Sequence, residues 1–215
     1  MTSGTRAKHH KTDTIEGMGC NSVGWAHHAD GRERRNVCAL VIYIPDPLGR
    51  FLDDLRRELV PAYNPHAHVS VLPPRPMVID WQTASDQARG ITEAFQPFDV
   101  ELTTVQVFPA TDVVYLEVGA GAAELQKLHL AMNAGALAFD EPFAYHPHIT
   151  LAQELPPDEV AAARDLADRR WREFRGSRSF RADRVVFVQN TLAEGCWIDL
   201  AEYSFGSSVP TPAKF

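Results

Sequence analysis

Two short stretches decide the predicted fold and the predicted site, HAHVS at positions 66–70 and HPHIT at positions 146–150. In each, a histidine precedes a hydroxyl residue by two positions, His68 before Ser70 and His148 before Thr150. Successive side chains of a β-strand point to opposite faces, so each pair shares a face if its stretch is a strand. Two such strands side by side would surround one polar volume with two imidazoles and two hydroxyls, which suits a phosphate.

Apolar runs and helical spacing on either side of these stretches predict the same order of elements in two halves. Strand-helix-strand-helix-strand is followed by strand-helix-strand-helix-strand-strand, with each motif on the second strand of its half. The predicted strands cover about 37–44, 66–72, 98–108, 113–118, 145–152, 180–189 and 196–203, and the predicted helices about 48–59, 80–95, 122–138 and 156–174. Pro73 and Pro74 are expected to close the second strand, and Asp80 to cap the second helix.

Composition indicates one globular domain with a core large enough to fold without disulfides. The chain has 215 residues, of which 45% are hydrophobic and 23% charged. Three widely spaced cysteines, Cys20, Cys38 and Cys196, indicate free thiols and a cytoplasmic protein, with the last two as buried structural thiols. No apolar run approaches the ~18–20 residues of a membrane span, and no signal peptide is expected.

The ends of the chain differ in composition from its middle. Residues 1–35 are rich in Gly, Ser, Thr, His and charge, which predicts a disordered extension. Residues 36–206 are the predicted folded domain, and 207–215 a loose tail. A formal net charge of −7 argues against an extended nucleic-acid-binding surface, although a local pocket could still bind an RNA end or a small nucleotide.

The motif residues resemble those of the two-histidine (2H) phosphoesterase superfamily, and within it the 2'-5' RNA ligase / RNA 2',3'-cyclic phosphodiesterase group. The similarity rests on HVSVLPP at 68–74 and YHPHITL at 145–151, and it extends over about residues 37–205. At one place the sequence departs from the family pattern, because Ala67 stands where a proline directly before the first motif histidine is common. The second motif keeps Pro147.

The resemblance implies an α+β fold: two pseudo-symmetric lobes of antiparallel sheet with outer helices around a central cleft. It also implies metal-independent chemistry without a cofactor, on 2',3'-cyclic phosphate ends or 2'-5' linkages of RNA or small nucleotides. By resemblance His68 is the general acid and His148 the general base, with Ser70 and Thr150 binding the phosphate oxygens. An imidazole pKa near ~6.5 allows one ring to be neutral and the other charged, but the sequence does not decide which.

Four further residues are candidates to line the cleft. Under strict alternation His66 and His146 share a face with the motif residues. Arg75 could approach a phosphate just after the first motif, and Tyr145 could stack on a base. The expected protein is a cytoplasmic monomer without a membrane segment.

Two other functions are compatible with the same residues. The His-x-His pairs could bind zinc or iron in a metal-dependent hydrolase, although the nearest acids, Asp80, Asp140, Glu141 and Glu154, follow no recognised ligand spacing. A non-catalytic module that binds a nucleotide or an RNA end would need the cleft and the hydroxyls but no acid–base pair.

Overall fold

The computed structural model describes residues 34–60, 66–192 and 197–206. In chain order, the elements are β1 (Arg34–Tyr43), α1 (Leu48–Leu59), β2 (His68–Arg75), α2 (Trp81–Ala94), β3 (Phe98–Val107), β4 (Val114–Val118), α3 (Ala122–Met132), β5 (His148–Ala152), α4 (Val160–Glu173), β6 (Ser179–Ala182), β7 (Arg184–Thr191) and β8 (Trp197–Ser204). One 3-10 turn, Gly135–Leu137, follows α3.

These strands form two four-stranded antiparallel sheets, in the orders β2-β1-β7-β8 and β5-β4-β3-β6. The predicted α+β fold with two lobes is therefore confirmed. The two halves of the chain exchange strands. The first half contributes β3 to the second sheet, where it pairs with β4, and the second half contributes β7 to the first sheet, where it pairs with β1. Each motif strand lies at the edge of its sheet, and β2 and β5 contact each other across the junction.

Side chains of the motif strands alternate between the core and a partly exposed face. On β2, Val69 and Val71 are buried while His68 and Ser70 are partly exposed. On β5, Ile149 and Leu151 are buried in the same way, and His148 and Thr150 are partly exposed. Burial of the apolar face favours this register strongly, since a slip of one residue would move every motif side chain into the core.

The predicted strand over 180–189 is wrong, because this stretch contributes to both sheets. β6 pairs with β3, and β7 pairs with β1 and β8. Between them, the Asp183 carbonyl oxygen accepts a hydrogen bond from Phe205 N at 2.7 Å. The positions that pack into the main core change from even to odd numbers at this residue, from Phe180 and Ala182 to Val185 and Phe187. The sequence gives no sign that the strand divides here, because the chain passes from one sheet to the other at Asp183 without a glycine or a proline.

Other predicted boundaries also shift. α3 ends at Met132 rather than near 138, because the Asn133 side chain accepts a hydrogen bond from Phe139 N (2.9 Å) and turns the chain. β2 continues through both prolines to Arg75, which an edge strand tolerates because its outer N–H groups have no partner strand. β5 begins at His148 and α4 at Val160, both later than predicted.

Several predictions concern residues outside the described ranges: most of the 1–35 extension, the 207–215 tail, Cys20 and Cys196. Arg34 and Arg35, which were assigned to the extension, already belong to β1. Cys38 is buried, and burial raises the pKa of its thiol to about 12, as expected for a structural cysteine. Within the described ranges, the helices are too short or too polar for one to cross a bilayer.

Candidate active site

The two motif histidines lie close enough to interact electrostatically. Their strands contact each other, and the charge of His148 contributes to lowering the pKa of His68. Both rings sit half-buried on the partly exposed face of their strands, with Ser70 and Thr150 two residues further along the same faces. The structure therefore brings together the four residues of the two His-x-Ser/Thr motifs.

Both imidazoles are oriented by the same hydrogen bond. Nδ1 of His68 lies 2.8 Å from the His66 carbonyl oxygen, and Nδ1 of His148 lies 2.7 Å from the His146 carbonyl oxygen. A carbonyl oxygen can only accept, so each Nδ1 must carry the proton that it donates. In the neutral ring the lone pair is then on Nε2, which makes Nε2 the nitrogen available for proton transfer.

Burial favours the neutral form of both rings. The pKa of His68 is lowered to about 4, mainly by desolvation. The hydrogen bond to His66 raises this pKa by a smaller amount, and the charge of the Arg56 guanidinium lowers it. Desolvation also lowers the pKa of His148. A bound anion would have the opposite effect, because negative charge beside an imidazole stabilises its protonated form.

Cross-strand neighbours on β1 and β4 complete the cleft face of each motif. Tyr43 pairs with His68 on the first sheet, and Glu117 pairs with His148 on the second. Tyr115 pairs with Thr150. Directly opposed residues of an antiparallel pair share a face, so these side chains adjoin the motif residues. Among the described residues, neither the Ser70 nor the Thr150 hydroxyl makes a hydrogen bond to another side chain.

His66 and His146 precede their strands, so strand alternation does not set their placement, and their place in the cleft stays a prediction. His66 has a left-handed backbone (φ 66°), held because the amides of His66 and Ala67 donate to Asp53 at 3.1 and 2.8 Å. Nε2 of His146 lies 3.0 Å from Glu117 Oε1, and the His146 side chain is 44% exposed. Each carbonyl, rather than each ring, makes the direct contact with the following motif histidine.

Arg75 lies in the interior instead of the cleft, which corrects its predicted placement. Only 2% of it is exposed, and its guanidinium forms an ion pair with Glu141 and donates to Asn133 Oδ1 at 2.7 Å. It also donates to the carbonyl oxygens of Pro73 and Leu137. A desolvated guanidinium needs such partners, and here they tie the end of β2 to the segment after α3.

Tyr145 packs instead of presenting both ring faces to the cleft. Its ring stacks on His129 with centroids 3.9 Å apart and 2° between the planes. Its hydroxyl donates to the Ser70 carbonyl oxygen at 2.8 Å, and His129 Nδ1 lies 2.8 Å from the Val71 carbonyl oxygen. These two side chains bond consecutive backbone carbonyls of β2, and so support the first motif.

Sequence reasoning missed the residues that surround the second histidine. Glu117 and Tyr115 alternate on β4, a signal that they share a face, but only the strand register shows that this face adjoins β5. Phe108 ends the stretch before the hairpin turn, and its ring centre lies 4.9 Å from that of His148. His129 and Asp53 lie on helices and have no sequence spacing that relates them to either motif.

No group of three or more His, Cys, Asp and Glu side chains within the described ranges is arranged to bind a metal ion. His68 and His148 each donate from Nδ1 to a carbonyl oxygen, so only Nε2 of each ring could coordinate a metal ion. The two imidazoles are therefore oriented separately, each by its own carbonyl oxygen and each two residues before a hydroxyl side chain.

Comparison with known proteins identifies related sequences and folds. The model of the 2'-5' RNA ligase superfamily matches residues 44–194. An Oceanobacillus iheyensis protein named "Putative phosphoesterase OB1230" is 28% identical over 119 residues, which are 51% of this chain and 68% of that protein. The structure of E. coli LigT complexed with phosphate has a TM-score of 0.57 at 17% identity, over 82% of this chain and 99% of LigT. LigT complexed with 3'-AMP has a TM-score of 0.56 at 16% identity, over the same shares of 82% and 99%.

Proposed function

This chain belongs to the 2'-5' RNA ligase superfamily, and from that premise we propose that it is a metal-independent phosphoesterase acting on RNA ends or small nucleotides. The reaction is hydrolysis of 2',3'-cyclic phosphate ends, or cleavage and formation of 2'-5' linkages. The observation that carries the proposal is the repeated orientation of two neighbouring imidazoles, each with Nδ1 bonded to a carbonyl oxygen and Nε2 left for proton transfer.

Hydrolysis of a cyclic phosphate needs one proton acceptor and one proton donor. Nε2 of His148 takes a proton from water as its oxygen attacks phosphorus, and Nε2 of protonated His68 gives a proton to the departing ribose 3'-oxygen. The water–phosphorus bond forms, the ring P–O bond breaks, and the product is a 2'-phosphate. The assignment of acid and base follows the family resemblance. Each proton transfer contributes roughly 10²–10⁴-fold, so the pair contributes about 5–11 kcal/mol of barrier lowering.

The negative charge of the bound substrate favours protonation of one imidazole, which can then act as the general acid. Burial lowers the pKa of both histidines in the free protein. A phosphodiester anion bound between them favours an imidazolium, so substrate binding and proton uptake are coupled. The Ser70 and Thr150 hydroxyls donate to the non-bridging oxygens, where negative charge increases in the transition state.

The proposal includes no metal, no cofactor and a monomeric, cytoplasmic protein whose ligand is a small nucleotide or an RNA end. Crystal structures of the similar fold of LigT contain phosphate and 3'-AMP, which supports a nucleotide ligand in a cleft of this architecture. With a net charge of −7, binding depends on local groups rather than on a broad positive surface.

A substrate panel in EDTA tests the proposal. It comprises nucleoside 2',3'-cyclic phosphates, RNA with 2',3'-cyclic ends and 2'-5' dinucleotides, with products identified by chromatography and mass spectrometry. We expect turnover of one of these classes in EDTA, with 2'-phosphate as the product of cyclic substrates. Complete loss in EDTA with recovery in zinc would indicate a metal-dependent hydrolase. Tight binding of the panel without turnover would indicate a non-catalytic binding module.

A further inference from the structure

Phe108 is held rigidly where the β3–β4 hairpin turns, next to the second motif. Its amide donates to the Val113 carbonyl oxygen at 3.0 Å. Its own carbonyl oxygen accepts from Thr111 N at 3.2 Å and from Asp112 N at 2.9 Å. Because both backbone groups are bonded within the hairpin, the fold fixes the backbone from which the ring projects.

The ring of Phe108 is stacked on Tyr115, with centroids 3.9 Å apart and 13° between the planes. The His148 ring is 4.9 Å from Phe108 and 5.4 Å from Tyr115. A ring that covered the outer face of Phe108 would be far more distant from Tyr115 than from Phe108. The nearly equal separations place His148 beside the stack, at the edges of both rings.

His146 occupies a similar position. Its ring is 5.3 Å from Phe108 and 5.7 Å from Tyr115, again beside the stack. Tyr115 is only 6% exposed, whereas Phe108 is partly exposed. Neither histidine therefore covers the outer face of Phe108, and that aromatic face lies directly next to the imidazole that would act on the phosphate.

We propose that Phe108 is the stacking platform for the nucleobase of the substrate, so that the protein selects phosphoesters that carry a base over those that do not. The inference rests on the proposed function, because it places the base beside a phosphate held at His148. Stacking on an aromatic side chain strengthens nucleotide binding by about 5- to 150-fold and depends little on which base is bound.

Direct binding tests the platform independently of catalysis. Isothermal titration compares adenosine 2'-monophosphate with inorganic phosphate, for wild type, Phe108→Ala, Phe108→Leu and Phe108→Tyr. We expect the alanine and leucine variants to weaken nucleotide binding by about 5- to 150-fold without changing phosphate binding, and the tyrosine variant to bind like wild type. Leucine keeps an apolar side chain without an aromatic face, so it reports on stacking if the alanine variant is unstable.

Phe143→Ala is the matched control, since Phe143 is an aromatic residue that is 64% exposed and outside the Phe108–Tyr115 stack. It should bind both ligands as wild type does. Parallel weakening of both ligands in Phe108→Leu would mean that Phe108 only supports the hairpin. Three other results would contradict the proposal. They are unchanged nucleotide affinity in Phe108→Leu, loss of nucleotide affinity in Phe143→Ala instead, and no nucleotide binding by the wild type.

Turnover separates this inference from the proposed function. Adenosine 2',3'-cyclic phosphate and glycerol 1,2-cyclic phosphate present the same five-membered ring with and without a base. We expect kcat/KM of the Phe108→Leu variant to fall for the adenosine substrate alone. Equal effects on both substrates would overturn the platform while leaving the proposed reaction intact. Stacking-dependent binding with no turnover of either would overturn the proposed reaction instead.

Discussion

His68 and His148 share the orientation of their rings but differ in the charges around them. Arg56 lowers the pKa of His68, whereas Glu117 raises the pKa of His148 against the effect of His146. These neighbouring charges favour the protonated form of His148 over that of His68, so taken alone they point to the opposite assignment of acid and base from the one that follows the family resemblance.

Removing either imidazole should nearly abolish turnover. We expect His68→Ala and His148→Ala each to lower kcat by at least ~10²-fold, and the double variant to lose little more than the worse single variant. His66→Ala, in the same stretch as the first motif, removes a ring that makes no hydrogen bond to His68 and should have a much smaller effect. Additive losses in the double variant would show that the two rings do not act in one reaction.

Glu117→Gln should lower the pKa of His148, because the neutral amide no longer stabilises the imidazolium. A ring-proton NMR titration of His148 measures this shift directly. The groups facing this ring are His146, Glu117 and the more distant His68, with Phe108 and Tyr115 contributing no charge at neutral pH. Asp199→Asn is the control, since Asp199 accepts from Tyr43 on the other sheet. An unchanged His148 titration in Glu117→Gln would refute the electrostatic role of the carboxylate.

Activity should be greatest on the acid side of pH 6.5. The base must be neutral, so kcat/KM falls as pH drops through its pKa; the acid must be protonated, so kcat/KM falls as pH rises through its pKa. Burial places both free-protein pKa values below the ordinary 6.5, that of His68 at about 4. A pH profile of kcat/KM measured on wild type should therefore decline above pH 6.5. A value that still rises from pH 6.5 to 8 would contradict this account.

At the scale of elements, sequence predicted what depends on local pattern. The bounds of α1 and the Asp80 cap of α2 are confirmed, because apolar spacing and capping chemistry are local. The end of α3 and the division between β6 and β7 were missed, because they depend on the Asn133 side chain and on two sheets that compete for one stretch. The left-handed residue before β2 was missed because positive φ is uncommon for any residue other than glycine, even though histidine adopts it more often than most.

The entry into β2 yields a stability prediction. Asp53→Ala removes the acceptor for two amides that hold His66 in its left-handed conformation, so we expect a loss of about 1.5–3 kcal/mol. His66→Gly removes the steric cost of that conformation and should stabilise the protein by about 1 kcal/mol. Urea unfolding measures both. Equal stability of Asp53→Ala and wild type would mean that the turn does not depend on this carboxylate.

At the scale of the whole molecule, the site exists because two distant halves of the chain are joined. Strand exchange places β3 and β7 in opposite sheets, and the contacts of His129 and Tyr145 reach the backbone of β2 over 58 and 75 residues. The paired motifs predicted which residues converge. They could not predict these supports, since contacts between residues so far apart leave no periodic pattern in the sequence.

The ion pair between Arg75 and Glu141 joins the two halves of the chain, so its loss should destabilise the fold. Arg75→Met leaves the Glu141 carboxylate without its guanidinium in a site where its side chain is only 11% exposed. We expect a loss of about 3–5 kcal/mol, and partial recovery in the double variant that adds Glu141→Gln, because no uncompensated charge then remains. Chemical unfolding of the two variants measures this difference. A single variant as stable as wild type would show that the ion pair does not join the halves.

The most direct test of paired histidine catalysis is the turnover of adenosine 2',3'-cyclic phosphate in EDTA, with product identification, by wild type and by His148→Ala. The account predicts adenosine 2'-phosphate from wild type, and at least a ~10²-fold smaller kcat from a variant that remains folded. Activity that disappears in EDTA, or a folded variant that is as active as wild type, would contradict it.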